Sequence, residues 1–203
     1  MDFNLSEEQQ LLCDVARRFV ETRCALINLR ASGASGSGDD AHAPQAGGIG
    51  YSAVRWQDIA AMGWPALLIP EADGGLGLSM VEAALLFEQL GGGAMREPLV
   101  SSAVLAASLI GRVPHWSGRG ATLLALAEGS LTVALAHHEA GHHDLDRTGA
   151  TRAEAVANGY RLIGTKSPVL WGGSVDAFIV PALEPGAAAP SLYMVRGDRA
   201  GVR

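Results

Sequence analysis

The segment Ala136–Asp144 reads "AHHEAGHHD". Within it, His138-Glu139-Ala140-Gly141-His142 matches the HExxH pattern. That pattern makes a zinc site when a helix puts both imidazoles on one face and the glutamate beside a metal-bound water. Here the upstream run Leu131–Leu135 suits a strand as well as a helix, and Gly141 costs about 1 kcal/mol of helix stability relative to alanine. A third ligand is also needed. The extended motif asks for a glycine and then a histidine further on, where Leu145 and Thr148 stand; Glu154 is the remaining candidate. The competing reading is a solvated loop of histidines after a strand. No metal ligand set is assigned.

Other candidates are fewer. Lys166, the sole lysine beside 14 arginines, sits in Gly164-Thr165-Lys166 and reads as a turn lysine or as a ligand. Glu88 and Glu139 could form a carboxylate pair, but no spacing brings them together, so the catalytic residue stays unknown. Gly74-Gly75-Leu76-Gly77 has the wrong spacing for a dinucleotide loop and follows Ile-Pro-Glu rather than a strand of a βαβ unit, so a turn is expected. Cys13 and Cys24, eleven residues apart in one expected helix, are about 16 Å apart along its axis. A disulfide needs Cα atoms within about 7 Å, so they cannot pair within it.

The elements that position these residues can be read from periodicity. Ser6 caps a first helix with Gln9 reaching back, and Leu12, Val15, Ala16 and Phe19 share a face. Residues 31–50, Gly/Ser/Ala-rich and aperiodic, are expected to form a mobile insert. A second helix covers Tyr51 to Met62 with Trp56, Ile59 and Ala60 inward. Glycines 74, 75 and 77 are expected to take positive φ. Ser79 and Glu82 form a capping box for a third helix through Leu90, with Val81, Ala84, Leu85 and Leu90 on a broad apolar face beside Phe87. Residues 99–111 make a fourth helix (Val100, Val104, Leu105, Leu109), apolar nearly all round, and Ala121–Ala127 a fifth. Then "LTVALAHHE", "GYRLIGTKSPVL", "DAFIVPAL" and "SLYMVR" read as short strands. The fold class is α+β, an all-helical region followed by a partial antiparallel sheet or barrel, with a boundary near Gly129.

At 203 residues the chain can bury a sizeable core, and 48% hydrophobic with 18% charged residues suits a globular protein. The net charge of −6 and the lack of a basic face argue against nucleic-acid binding. No run reaches the roughly 18 apolar residues of a membrane span, and Met1-Asp2-Phe3-Asn4 lacks the order of a signal peptide, so a cytoplasmic location is expected.

The order of elements resembles the acyl-CoA dehydrogenase family. The likeness is carried by "MDFNLSEEQQLLCDVARRFV", "WQDIAAMGWPALLIPEADGGLGLSMVEAALLFEQLGGG", "EPLVSSAVLAASL", "LAEGSLTVALAHHEAG" and "GYRLIGTKSPVLWGGSVDAFIVPA". It covers essentially the whole chain outside the insert. The resemblance implies a helical N-terminal domain (1–129), the first part of a β-rich middle domain (130–203), and a C-terminal helical bundle that lies outside this sequence together with the usual catalytic glutamate. It also implies FAD, an acyl-CoA thioester substrate, a homo- or hetero-oligomer, and an electron-transfer flavoprotein as electron acceptor. The flavin performs the redox step and the protein supplies position and electrostatics.

The flavin-contacting motifs depart from the family's pattern. Where members commonly carry Thr-Glu-Pro and then Gly-Ser-Asp, this chain has His138-Glu139-Ala140 and Gly141-His142-His143-Asp144. The aromatic and hydroxyl positions two and four residues after the family's Gly-x-Lys fall on Pro168 and Leu170, which offer no side-chain hydrogen bond. By the resemblance the cofactor-facing positions are Leu135, His137, His138, His143, Pro168 and Leu170, with a histidine standing in for the missing threonine as donor. Trp56, Trp64 and Trp171 are expected as packing anchors, Trp171 near the flavin ring. Such pattern loss is similar to that of members for steroid and other bulky substrates, some of which pair a degenerate subunit with a competent one. Three functions follow: an FAD-dependent dehydrogenase present as an incomplete chain, a non-catalytic partner subunit, and, remotely, an HExxH zinc hydrolase.

Overall fold

A computed structural model describes residues 4–23, 50–141 and 149–202. Helices α1 (Glu7–Arg23), α2 (Ala53–Ala61), α3 (Met80–Gly91), α4 (Ala107–Gly111) and α5 (Arg119–Ala127) precede strands β1 (Val133–Leu135), β2 (Arg152–Val156), β3 (Gly159–Ile163), β4 (Ala177–Ala182) and β5 (Ser191–Arg196). The α+β class is therefore as the sequence indicates. Apart from Gly50, the 31–50 insert lies outside the described residues, as does Cys24.

The helix starts carry the caps their sequences encode. Ser6 and Gln9 exchange side-chain-to-backbone hydrogen bonds of 3.0 and 3.1 Å. Ser79 and Glu82 form the full capping box. The Ser79 hydroxyl and the Gln9 amide hold the Glu82 carboxyl down at about 2, against a small opposing effect of burial. Gln9 Nε2 donates to Glu82 Oε1 at 2.8 Å, tying the starts of α1 and α3 together. Between α2 and α3 the chain folds back on itself. Gly74 and Gly77 take positive φ, while Gly75 is needed for a different reason, since a Cβ there would run into the Ile69 backbone.

Two helices bury a face other than the expected one. In α3 the buried residues are Ala83, Leu86 and Leu90, while Val81 is 56% exposed and Ala84 also faces out. The helix is apolar on two sides, and only the packing of α1 against it selects which side is covered. The fourth helical segment opens as a π-helix, Val100–Ala106, and only then becomes α4. Its buried side is small and hydroxylated: Ser101, Ser102, Ala103 and Ala106. Val100 and Leu105, expected in the core, are exposed. The reason is the approach to β1, where short side chains are required and the two serines satisfy strand backbone.

The sheet is mixed. β1 pairs parallel with β4 in the register Val133↔Ala177, Ala134↔Phe178, Leu135↔Ile179, and β4 pairs antiparallel with β5. β2 and β3 form a separate antiparallel hairpin, tied to the end of β4 by the Arg152↔Leu183 bridge. β2, "RAEAV", escapes a reading by apolar runs because just one of its residues, Ala153, is buried.

Two apolar clusters hold these parts together. One gathers Ala16, Phe19, Tyr51, Trp56, Ile59, Trp64, Leu86 and neighbours within the helical region. The other crosses from helices to sheet, joining Ile69, Ala106, Ile110, Leu123 and Leu126 to Val133, Ala177 and Ile179. No described helix is long and apolar enough to cross a membrane.

Candidate functional site

β1 ends at Leu135 and runs on as extended chain, its direction kept by Ala136 N–H donating to Ile179 O at 2.9 Å. His137, His138 and Glu139 follow. β3 ends at Ile163 and leads through Gly164-Thr165-Lys166 into a turn carrying Pro168 and Leu170. These two segments lie side by side, since Ser167 N–H donates to His138 O at 2.8 Å. Of the residues expected from the sequence, Leu135, His137, His138, Pro168 and Leu170 thus sit on two adjoining segments. His143 lies outside the described residues.

What locks the segments together is the residue pair that sequence reasoning left unassigned. The Glu139 carboxylate is 6% exposed, and Lys166 Nζ, 10% exposed, donates to it at 2.6 Å. Thr151 adds its hydroxyl at 2.5 Å and its amide at 3.1 Å, and the Ala150 amide donates to the second oxygen. Burial pushes this carboxyl up, but the ammonium and the three further donors outweigh it and hold it at about 2. The glycines on both sides are there for room. A Cβ on Gly149 would strike the Glu139 carboxylate, and one on Gly164 would strike the Thr151 side chain. The signal available in the sequence was the pairing of a lone lysine with a glutamate at equivalent strand ends; without the fold, nothing joined them.

The same lock overturns the zinc reading. Val133–Leu135 is a strand, no helix covers the described part of the HExxH segment, and Gly141 has φ 80°. Glu139 is spent on Lys166 and two backbone amides, so it is not available beside a metal-bound water. Among the described residues no cluster of three or more metal-ligating side chains occurs.

The histidines remain. The His137 and His138 rings lie 3.8 Å apart between centroids at 41°. Burial lowers the basicity of His137, the neighbouring His138 and Lys166 lower it further, and a backbone contact at Leu135 offsets part of this. His137 Nδ1 is buried and makes no well-formed hydrogen bond, its nearest polar contact being the Leu135 backbone. Leu170 is 75% exposed at the tip of the turn, and the Ser167–Pro168 peptide before it is cis.

Fold and site together define a class: a helical wall, five α-helices among the described residues, packed against a small mixed sheet whose strand ends present paired loops. The chain belongs to the acyl-CoA dehydrogenase family, for residues 6–114 match the profile of the acyl-CoA dehydrogenase N-terminal domain. Among curated proteins it is 31% identical over 145 residues to acyl-CoA dehydrogenase FadE27 of Mycobacterium tuberculosis, covering 70% of this chain and 37% of that one. Its fold is similar to a chain of the ChsE4-ChsE5 complex of Mycobacterium tuberculosis (TM-score 0.79, 24% identity, 99% of this chain and 50% of that one). It is also similar to a chain of the Tcur3481-Tcur3483 steroid ACAD G363A variant (TM-score 0.75, 26% identity, 96% and 49%). A further likeness in fold is to PigA, solved as an FAD complex (TM-score 0.78, 23% identity, 99% and 51%). The chain thus spans about half the length of these structures.

Proposed function

We propose that the chain is the N-terminal helical domain (1–129) and the first part of the middle domain (130–203) of an FAD-dependent acyl-CoA dehydrogenase. In this reading the loops after β1 and β3 form the protein's side of a flavin site, in an oligomer that passes electrons to an electron-transfer flavoprotein. The observation that carries it is the adjoining of His137-His138 and Ser167–Leu170, two segments held together by a buried ion pair. An imidazole from His137 or His138 suits a flavin carbonyl or ring nitrogen as hydrogen-bond partner. Pro168 and Leu170 offer an exposed apolar surface for a flat ring, while Leu135 packs on the core. When bound, FAD would accept the hydride drawn from the β-carbon of an acyl-CoA thioester. None of the described residues is assigned as the base that takes the α-proton.

In this arrangement Glu139 and Lys166 do not touch the cofactor; they fix the backbone that does. His138 and His137 orient the ring, and the apolar side chains keep water from its face. A bulky thioester, a steroid-derived one included, is the substrate class favoured by the likeness to a structure described as a steroid ACAD.

A second reading, a non-catalytic subunit of a two-chain dehydrogenase, draws on the absence of any side-chain hydrogen-bonding group at Pro168 and Leu170. The resemblance to chains of two-component assemblies also favours it. Titrating the full chain with FAD and following flavin absorbance separates the two. The dehydrogenase reading expects stoichiometric binding, weakened about tenfold by His138→Ala through loss of one hydrogen bond. A chain that takes up no flavin supports the partner subunit, and unchanged affinity in His138→Ala removes that histidine from the site.

A further inference from the structure

Trp171 adopts φ 65°, a backbone region that bulky L-residues avoid. Such a conformation persists where surrounding contacts over-determine it. Here the contacts come from the other half of the molecule. The Trp171 ring meets Tyr51 edge-on at 6.1 Å and 86°. Tyr51 is buried and meets Trp56 at 6.2 Å and 67°. Trp56 Nε1 in turn donates to Gly129 O at 2.8 Å. Three aromatic rings thus run as a column from the helical core to the turn after β3, and Trp171 packs against that core although it lies 115 residues beyond Trp56 in the sequence.

The turn itself is closed by two backbone hydrogen bonds around the tryptophan, Gly172 N–H to Val169 O at 3.1 Å and Ser174 N–H to Trp171 O at 2.8 Å. A Cβ placed on Gly50, next to Tyr51, would come within 3.3 Å of Ser174 Oγ, so the base of the column also lies close against the turn. The residues this turn carries forward are Pro168 and Leu170.

We propose that Trp171 is a positioning residue. Its left-handed backbone sets the path of the turn, and its indole, seated on Tyr51, anchors that path to the helical region. The column thereby fixes where Pro168 and Leu170 stand relative to the helices. The consequence for flavin rests on the function proposed above; the anchoring does not.

The test uses the full chain and compares Trp171→Gly, Trp171→Phe and Tyr51→Leu. Glycine accepts φ 65° freely, so if the indole did nothing, Trp171→Gly would relieve strain and leave the turn as protected as before. Anchoring expects the opposite: amide exchange at Gly172 and Ser174 quickens about tenfold in Trp171→Gly and in Tyr51→Leu, while Trp171→Phe stays near wild type because a ring still meets Tyr51. FAD affinity should fall in Trp171→Gly and Tyr51→Leu and stay near wild type in Trp171→Phe. Unchanged exchange in both Trp171→Gly and Tyr51→Leu, or a raised Tm in Trp171→Gly with exchange unaltered, overturns the proposal. If the wild-type chain takes up no FAD while exchange still follows the anchoring pattern, the flavin assignment fails and the positioning role stands.

Discussion

The helical and sheet regions are held by different balances of apolar and polar contact. Up to Gly129 the interior is a cluster of aromatic and aliphatic side chains with one buried ion pair, Arg55 Nε to Glu97 Oε1 at 2.9 Å, and most other polar contacts lie towards helix ends and surfaces, as in Ser6 with Gln9 and Ser79 with Glu82. Beyond it the strands are three to six residues long and several are half exposed, so they bury little on their own. Beyond the apolar cluster shared with the helices, they are held by polar locks, buried or part-buried, between residues distant in sequence. Glu139 is gripped by Lys166 and Thr151. Asp176 Oδ2 accepts from both the amide and the hydroxyl of Thr132 at 2.8 Å. Ser101 and Ser102 clasp Val133. A buried polar lock fails sharply when one partner is lost, so the sheet region, whose short strands bury little, should be the more sensitive to single polar substitutions.

The largest effect is expected where a lock holds charge. Lys166→Met leaves the Glu139 carboxylate buried without its counter-ion, which should cost about 3–5 kcal/mol, a fall in Tm on the order of 10 °C for a chain of this size. The double variant Glu139→Gln/Lys166→Met, with no buried charge left, should recover part of that loss in thermal melts. Acid should act on the same lock. The folded carboxyl is held at about 2, below the range of about 4.3 for a free glutamate. Its stabilisation is therefore complete above that range and is lost as pH falls from roughly 5 towards 2. Melts across this window should show a steeper decline for the wild-type chain than for the double variant; parallel curves would contradict the difference drawn between the regions.

A smaller effect belongs to the seam. Ser102 Oγ accepts from Val133 N–H at 3.0 Å and donates to Val133 O at 3.2 Å, while Ser101 Oγ donates to that same oxygen at 3.1 Å. Ser102→Ala removes the amide's partner, with the carbonyl still served by Ser101. About 1–3 kcal/mol should be lost, and denaturant titration should show a lower midpoint at unchanged slope. Ser102→Thr keeps the hydroxyl but must find room for a methyl group at a site packed against strand backbone.

The two regions were also unequally legible. Periodicity and caps gave the helices, because α-helix signals are local: a serine, a glutamate three residues on, and an apolar stripe. They failed where helices had two apolar sides. Nothing within α3 says that Leu86 rather than Val81 is covered, and nothing within "VSSAVLA" says that its serines rather than its valines face a strand. In the sheet region the apolar runs gave β1, β3, β4 and β5 but not β2 or the parallel pairing of β1 with β4. The site was legible as two loops, through the family resemblance. The contact that joins them was not, since Glu139 and Lys166 are 27 residues apart and each looks ordinary alone. Trp171 was read as a packing anchor; the positive φ that makes it informative is a property of the fold, absent from the string of residues.

The smallest effect tests the helical side of the comparison. Ser79 Oγ accepts from Val81 N–H at 3.1 Å and donates to Glu82 Oε2 at 2.5 Å, and the Glu82 carboxylate takes the Ser79 amide at 2.9 Å. All of this is solvent-exposed, so water can replace each partner. Ser79→Ala should cost about 1 kcal/mol, in keeping with other lost N-caps, and Ser79→Asp should regain most of that by accepting the same amide and adding charge at the positive end of α3, less whatever the nearby Glu82 takes back by repulsion. The loss should leave amide exchange in the sheet region untouched, because a frayed first turn of α3 opens locally and the core residues Ala83, Leu86 and Leu90 stay packed. A Ser79→Ala loss as large as that of Lys166→Met would mean that an exposed helix cap weighs as much as a buried lock, and the contrast between the two would collapse.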